Sequence, residues 1–229
     1  MRKTRLPVLV GVLACLAVFI FSWIGNSEDD LFTQAINARQ RGDSDLAYQL
    51  FEQAAEQGIR PYDAYYEMGL ILMEKEKWVQ AFRISSKAVS AFQDYLMNHP
   101  QDDNAWFRLA YIYEVRSLAP TVNEWKQAID ALQMALTISP ENSQYLLHLG
   151  YVYYKIRKSD EAEKILLGLV EKYPDYFDAR YYLAMSYLEN QEKEKAWQQF
   201  NFIVEHAPKG NNYLPWAEKE LKKLGGGIQ

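Results

Sequence analysis

Three histidines, one cysteine and thirty carboxylates are the residues of this 229-residue chain with the means for acid–base or metal chemistry. His99, His148 and His206 are scattered, and no HExxH, GxSxG, CxxC or Gly-rich phosphate loop accompanies them. His99 and His206 stand near Pro100 and Pro208, at the ends of helical stretches, where an imidazole complements the helix C-terminus. His148 has no acidic residue three or four positions away on either side, so it reads as a surface or packing residue. Cys15 is alone, which excludes an internal disulfide framework and a thiolate zinc cluster. The two EKEK runs, 74–77 and 192–195, read as solvated turns between helices. No catalytic constellation, metal site or cofactor site emerges, and the expectation is a protein that is not an enzyme. What remains is recognition. The chain holds 17 Tyr, ten Phe and six Trp, and GYVYYK at 150–155 crowds three tyrosines into four positions. Such rings offer large apolar faces with a polar edge. A net charge of −5 gives no footprint for nucleic acid.

The first thirty residues differ from all that follow. A basic stretch at 1–5 with Arg2, Lys3 and Arg5 precedes LPVLVGVLACLAVFIFSWI at 6–24, which has no formal charge. Nineteen helical residues rise by roughly 28 Å, close to the thickness of a bilayer's hydrocarbon core. A cleaved signal peptide would have a shorter apolar region, and a lipoprotein would turn polar after Cys15. The pattern predicts a transmembrane signal anchor over 6–24 followed by a linker over 25–30. The positive-inside rule then keeps residues 1–5 cytoplasmic and carries the rest across, as in a single-pass bacterial inner-membrane protein with a periplasmic domain. A eukaryotic outer-mitochondrial anchor, with a cytosolic domain, is the other placement. Without its three N-terminal basic residues the chain has 22 basic against 30 acidic side chains, so a second, electrostatic membrane contact is not expected.

The elements that must position the aromatics repeat. NAWFRLAYIY, SQYLLHLGYVY and DARYYLAMSY each set a Leu beside a small residue (Ala110, Gly150 or Ala184), with a Tyr three positions on. AIDALQMALTISP, AEKILLGLVEKYP and AWQQFNFIVEHAP align likewise, with Ala128, Ala162 and Ala196 at intervals of 34 residues, as are Pro140, Pro174 and Pro208. A period of this kind means stacked supersecondary units. Small residues let two helices cross closely, and proline ends the second helix. Two earlier units are less regular: YYEMGLIL is followed by a longer helix that Ala88 and Phe92 bring back into register, and RSLAPT with Pro120 lengthens the third unit's connection. The predicted organisation is five repeats within 31–210 (31–60, 62–100, 103–140, 143–174 and 177–208), a capping helix over 211–224 and a flexible tail over 225–229. In the cap, Trp216, Ala217, Leu221 and Leu224 are expected to dock.

Trp106-x2-Leu109-Ala110-x2-Tyr113 and Ala196-x3-Phe200, with the period of 34, resemble the tetratricopeptide repeat (TPR) family; the AAEQG ending of the first unit also resembles a Sel1-like repeat. The resemblance implies an all-α, right-handed, TPR-type helical-hairpin solenoid behind an N-terminal transmembrane helix. It also implies that the first helix of each pair lines a concave groove. With the small crossing residue as position eight, positions two, five, nine and twelve look into that groove. The groove residues are then Tyr66, Phe107, Tyr111, Leu147, Tyr151, Tyr154, Tyr181 and Met185, with Phe32, Ile36, Leu70 and Leu188, punctuated by Arg39, Asp63, Glu114 and Asp178. Tyr153, at position eleven, belongs to the core. The Lys, Arg and Asn set of the carboxylate-clamp subfamily is missing. Such a groove suits an apolar or amphipathic peptide. The expected function is a membrane-anchored scaffold or adaptor that binds a protein or peptide partner in assembly or quality control of an envelope complex; the alternative is a chaperone-like receptor for unfolded exported proteins.

Overall fold

The computed structural model describes residues 31–225, and all their regular structure is helical. Helix α1 occupies 31–40, followed by α2 (Ser44–Glu56), α3 (Pro61–Glu74), α4 (Trp78–Asn98), α5 (Asp103–Ser117) and α6 (Trp125–Ile138). Then come α7 (Ser143–Lys155), α8 (Ser159–Lys172), α9 (Phe177–Glu189), α10 (Lys193–His206) and α11 (Leu214–Gly225). The expected span 6–24 and linker 25–30 lie outside the described residues, as do 226–229 of the tail. Among the described residues no helix is long and apolar enough to cross a membrane.

Local chemistry sets the helix ends. Asp43, Asp102 and Asn142 each accept from backbone N–H groups of the first turn that follows, at 2.9–3.3 Å, satisfying donors a helix start leaves open. The second helices α4, α6, α8 and α10 each stop two residues before Pro100, Pro140, Pro174 or Pro208. Trp106 and Arg180, in the same register of their repeats, fold back onto a proline carbonyl six residues earlier: indole Nε1 donates to Pro100 O at 3.0 Å and Arg180 Nε to Pro174 O at 2.6 Å. Within pairs, the turn is a tight left-handed reversal. Gly42 adopts φ 81°, and the corresponding Glu76, Arg157 and Gln191 adopt 56°, 60° and 64°. The next N–H in each turn donates five residues back, to Ala38, Leu72, Tyr153 or Tyr187. Three of the four turns therefore use a side chain where glycine is the easier choice.

The third pair is joined differently. Residues 118–124 connect α5 to α6, and Arg116 closes the gap with two parallel bonds to Glu124, Nε to Oε2 at 2.6 Å and Nη2 to Oε1 at 2.9 Å. The Glu124 N–H donates to Ser117 Oγ at 2.8 Å.

The chain forms two compact units, with the boundary between Tyr95 and Leu96. In the N-terminal unit Phe32 meets Phe51 edge-on at 5.3 Å over a core that includes Met68, Ile71 and Ile84. Arg60, itself at φ 43°, pairs with the buried Asp63 and lies 4.2 Å over the Phe32 ring. In the C-terminal unit α7 packs on α8, α8 on α9, α9 on α10 and α10 on α11, while first helices α5, α7 and α9 also touch in sequence. Each pair thus buries its neighbour's open side, and Leu166, Leu183, Phe200 and Ile203 are fully enclosed. Burial of one such side chain is worth about 1.5–3 kcal/mol. The small crossing residues Ala110, Ala128, Ala162, Ala184 and Ala196 are fully buried. Gly150 has the strictest requirement, because a Cβ there would lie 2.6 Å from Leu166 Cδ2. In the cap Ala217 and Leu224 are buried and Leu221 is half-buried. Trp216 does not dock as expected: it is 55% exposed, with Lys219 Nζ 5.6 Å from its ring.

Candidate functional site

Eight of the expected groove residues, the set from Tyr66 to Met185, fall on α3, α5, α7 and α9 and differ in what they leave open, while Phe32 and Ile36 lie on α1. Tyr66, in the N-terminal unit, is half-buried and meets Phe92 edge-on at 6.3 Å. The other seven are in the C-terminal unit. Phe107 and Leu147 are 7% and 8% exposed, so they form a floor rather than a contact surface. Phe107 is stacked on Tyr145 at 4.9 Å. Tyr111, Tyr151, Tyr154, Tyr181 and Met185 are half-buried, each keeping part of its surface available.

These rings are continuous with others that positions two, five, nine and twelve do not include. Tyr182 is the hub: its ring lies 5.0 Å from Tyr151, 6.0 Å from Tyr154, 5.5 Å from Tyr181 and 5.8 Å from Tyr213. The Tyr213 hydroxyl donates to the Tyr182 oxygen at 3.3 Å. Tyr213 precedes α11 and also packs on Tyr181 at 4.9 Å, so the cap closes one end of the cluster. Trp125, at the start of α6, approaches Tyr151 at 6.4 Å. Position six, where Tyr182 stands, was passed over in the sequence; the YY doublet of DARYYLAM was its available sign. Tyr153 also departs from expectation. It is half-buried against the core, with Lys158 Nζ 5.9 Å from its ring, whereas Val152 is the fully buried neighbour.

His148 is not an isolated packing residue. Its Nδ1 lies 2.9 Å from Glu114 Oε2, and its ring meets Phe107 at 4.9 Å and Tyr111 at 5.8 Å. The partner sits 34 residues away, one repeat back, where no local pattern would reveal it. Glu114 is 3% exposed, and its Oε1 has no hydrogen-bond partner. Burial raises its carboxyl above the usual range, opposed by His148. Burial also raises Asp178, opposed by its own backbone N–H and by His148. Tyr151 is pushed up to about 12, first by burial and then by Glu114. Tyr182 is raised further, by burial and its bond with Tyr213, and burial lifts Tyr154 and Tyr181 as well. The cluster is therefore protonated at neutral pH and presents apolar faces with hydroxyl donors.

Nothing in this arrangement resembles a nucleophile with its base. Among the described residues no three His, Cys, Asp or Glu side chains converge to hold a metal. A separate cleft of about 420 Å³, lined by Glu194, Trp197, Gln198 and Gly225, lies between α10 and α11 and shares no residue with the cluster.

Two family models match the chain, over residues 85–143 and 123–177, and both describe the tetratricopeptide repeat. Residues 85–177 are TPR repeats. The TPR fold extends beyond them, as solved structures show. TTC0263, a thermophilic TPR protein of Thermus thermophilus, superposes with a TM-score of 0.64 at 20% identity, over 85% of this chain and 99% of that one. YrrB, described as a TPR protein with an unusual peptide-binding site, gives 0.61 at 19% identity over 90% and 97%. MamA from Desulfovibrio magneticus gives 0.61 at 16% identity over 78% and 93%. No curated protein matches the chain. The first unit, 31–60, where a Sel1-like ending is expected, lies outside both family matches.

Proposed function

We propose that this chain is a membrane-anchored TPR adaptor that holds a protein or peptide segment against the aromatic face of α5, α7 and α9. The observation that carries the reading is the half-buried tyrosine cluster centred on Tyr182. Rings that pack on one another are already ordered, so a partner gains their area at little further entropic cost. The same TPR-type fold in YrrB carries a peptide-binding site. The basic N-terminus and the apolar run at 6–24 support a single-pass anchor with the repeats on the far side of a bacterial inner membrane, and a role in assembling or checking an envelope complex follows from that address.

The test is a Tyr151→Ala/Tyr154→Ala double variant compared with wild type by affinity purification from solubilised membranes. The fold is expected to persist, because neither ring is fully buried, while partner recovery falls; buried aromatic anchors cost about 2 kcal/mol or more when truncated. Full recovery of the partner by a folded double variant would overturn the reading. One stoichiometric partner supports an adaptor; a spread of weakly held clients supports instead a receptor for unfolded exported chains. Protease added to intact spheroplasts is expected to remove residues 30–229, and protection would reverse the orientation.

A further inference from the structure

We infer that the segment bound in this groove is basic, and that a lysine or arginine side chain of the partner docks between Asp178 and the tyrosine faces, drawn by the buried carboxylate of Glu114. The inference rests on the groove reading above and adds the chemical class of the occupant.

Glu114 on α5 and Asp178 on α9 stand on either side of α7, and a single imidazole answers both. His148 bonds Glu114 at 2.9 Å and acts on Asp178 as well. Glu114 is all but excluded from water, and its second oxygen is buried with nothing to accept from. A buried carboxylate with one contact is an expensive arrangement unless further positive charge arrives. The surrounding phenols carry none. The groups acting on Tyr151, Tyr154, Tyr181 and Tyr182 are other phenols and the carboxylates of Glu114, Asp178, Glu189 and Glu220. Two of those carboxylates are already engaged, Glu220 by Lys223 at 2.6 Å and Glu189 by the Ser159 hydroxyl at 2.9 Å. Glu114 is met by His148 on one oxygen only, and Asp178 by its own backbone N–H, so neither has a lysine or arginine partner among the described residues.

The geometry divides the work between them. Asp178 is half-buried and lies within a partner's reach, as are the faces of Tyr151 and Tyr181. Glu114 is buried and acts on Tyr111 and Tyr151 from a low-dielectric interior, where a charge is felt more strongly than in water. Tyrosine faces attract cations in their own right. Lys155, exposed at the end of α7, already places its ammonium 5.9 Å from the Tyr151 ring. An acidic segment would bring like charge to Asp178 and Glu114, so the same features disfavour it.

The experiment uses the full chain in detergent and two labelled eight-residue peptides, one alternating Leu with Arg and the other Leu with Glu, read by fluorescence anisotropy. The Arg peptide is expected to bind at least tenfold more tightly than the Glu peptide. That preference should fall at least fivefold in Glu114→Gln/Asp178→Asn, with most of the loss in Asp178→Asn alone. The single variant, at a half-buried position, decides the matter should the double one misfold. Micelle binding is common to all variants and cancels in the comparison. Equal binding of the two peptides, or a preference unchanged in Asp178→Asn, overturns the inference. If both peptides bind equally and both are lost in Tyr151→Ala/Tyr154→Ala, the groove survives and only its charge preference falls. If neither peptide depends on the tyrosines, the groove reading falls with it.

Discussion

Replacing Gly150 by alanine tests the repeat packing at its tightest point. A Cβ there would sit 2.6 Å from Leu166 Cδ2 and 2.7 Å from Leu166 Cγ. Carbon atoms rest at about 3.5–4.0 Å, so α8 or the leucine must retreat by roughly 1 Å. The branch atom Cγ is one of the clashing pair, and Leu166 is fully enclosed, so a rotamer change alone gives no relief. Overpacking of this kind costs about 1–3 kcal/mol, while alanine returns about 1 kcal/mol of helix propensity. The expected net loss is up to about 2 kcal/mol. Gly168 on α8 is the control in the same unit: nothing lies within 4 Å of its Cβ position, so Gly168→Ala should gain about 1 kcal/mol. At about 2–4 °C per kcal/mol for a chain of this size, the two variants should melt on opposite sides of wild type by circular dichroism. Adding Leu166→Ala to Gly150→Ala should cost less than Leu166→Ala does in wild type, because the clash is then gone. A Gly150→Ala protein as stable as Gly168→Ala would refute the close crossing of α7 and α8.

Other consequences are equally open to measurement. Arg157→Gly and Gln191→Gly should each stabilise the C-terminal unit by up to about 1 kcal/mol in urea titrations, since both positions hold a left-handed backbone that a Cβ disfavours. Ala196→Leu, at a fully buried crossing of α10, should cost about 1–3 kcal/mol and quicken amide exchange in α9–α11 before α5; uniform quickening would contradict nearest-neighbour packing. Tyr145 and Tyr151 are both pushed up to about 12 by burial, with Asp103 adding to the first and Glu114 to the second. Between the ordinary tyrosine value near 10 and about 12 the unfolded chain loses these protons and the folded one keeps them. Stability is therefore complete below pH 10 and should decline from there to pH 12; a melting temperature unchanged across that window would contradict their burial.

The fold class was legible because a solenoid writes its contacts into its period. Ala128, Ala162 and Ala196 announce one crossing three times, and all three are fully buried. The site was legible only in part. Assigning inward positions by register selected Tyr111, Tyr151, Tyr154 and Tyr181, which the fold leaves half-buried, but it could not show that Phe107 and Leu147 are nearly enclosed. It also omitted Tyr182 and Tyr213, whose role depends on rings brought in from another repeat and from the cap. The pairing of His148 with Glu114 hides for the same reason. Helix neighbours at three or four positions are visible along the chain, whereas neighbours in a stack are one period apart. Position twelve of one unit meets position six of the next 28 residues on in a regular repeat, as Tyr154 does Tyr182, and 34 residues on where six extra residues lengthen the third unit, as Glu114 does His148. Trp216 failed as a docking residue because the apolar stripe of α11 needed only Ala217, Leu221 and Leu224 to cover α10.

The seven-residue connection between α5 and α6 differs from the other hairpins in what holds it shut. Elsewhere the reversal of the backbone itself fixes the distance between paired helices, so any added residue would disturb the register of the stack. Here the fork of Arg116 on Glu124 and the hydroxyl of Ser117 fasten the two helices at the base, and Leu118, Pro120 and Thr121 lie exposed beyond the clasp. Length at that tip is decoupled from the geometry beneath it, since lengthening a closed loop costs little. The third hairpin is thus the place where this chain can accept foreign sequence, whether a fluorescent protein, an epitope or a protease site, and still stack its repeats in step.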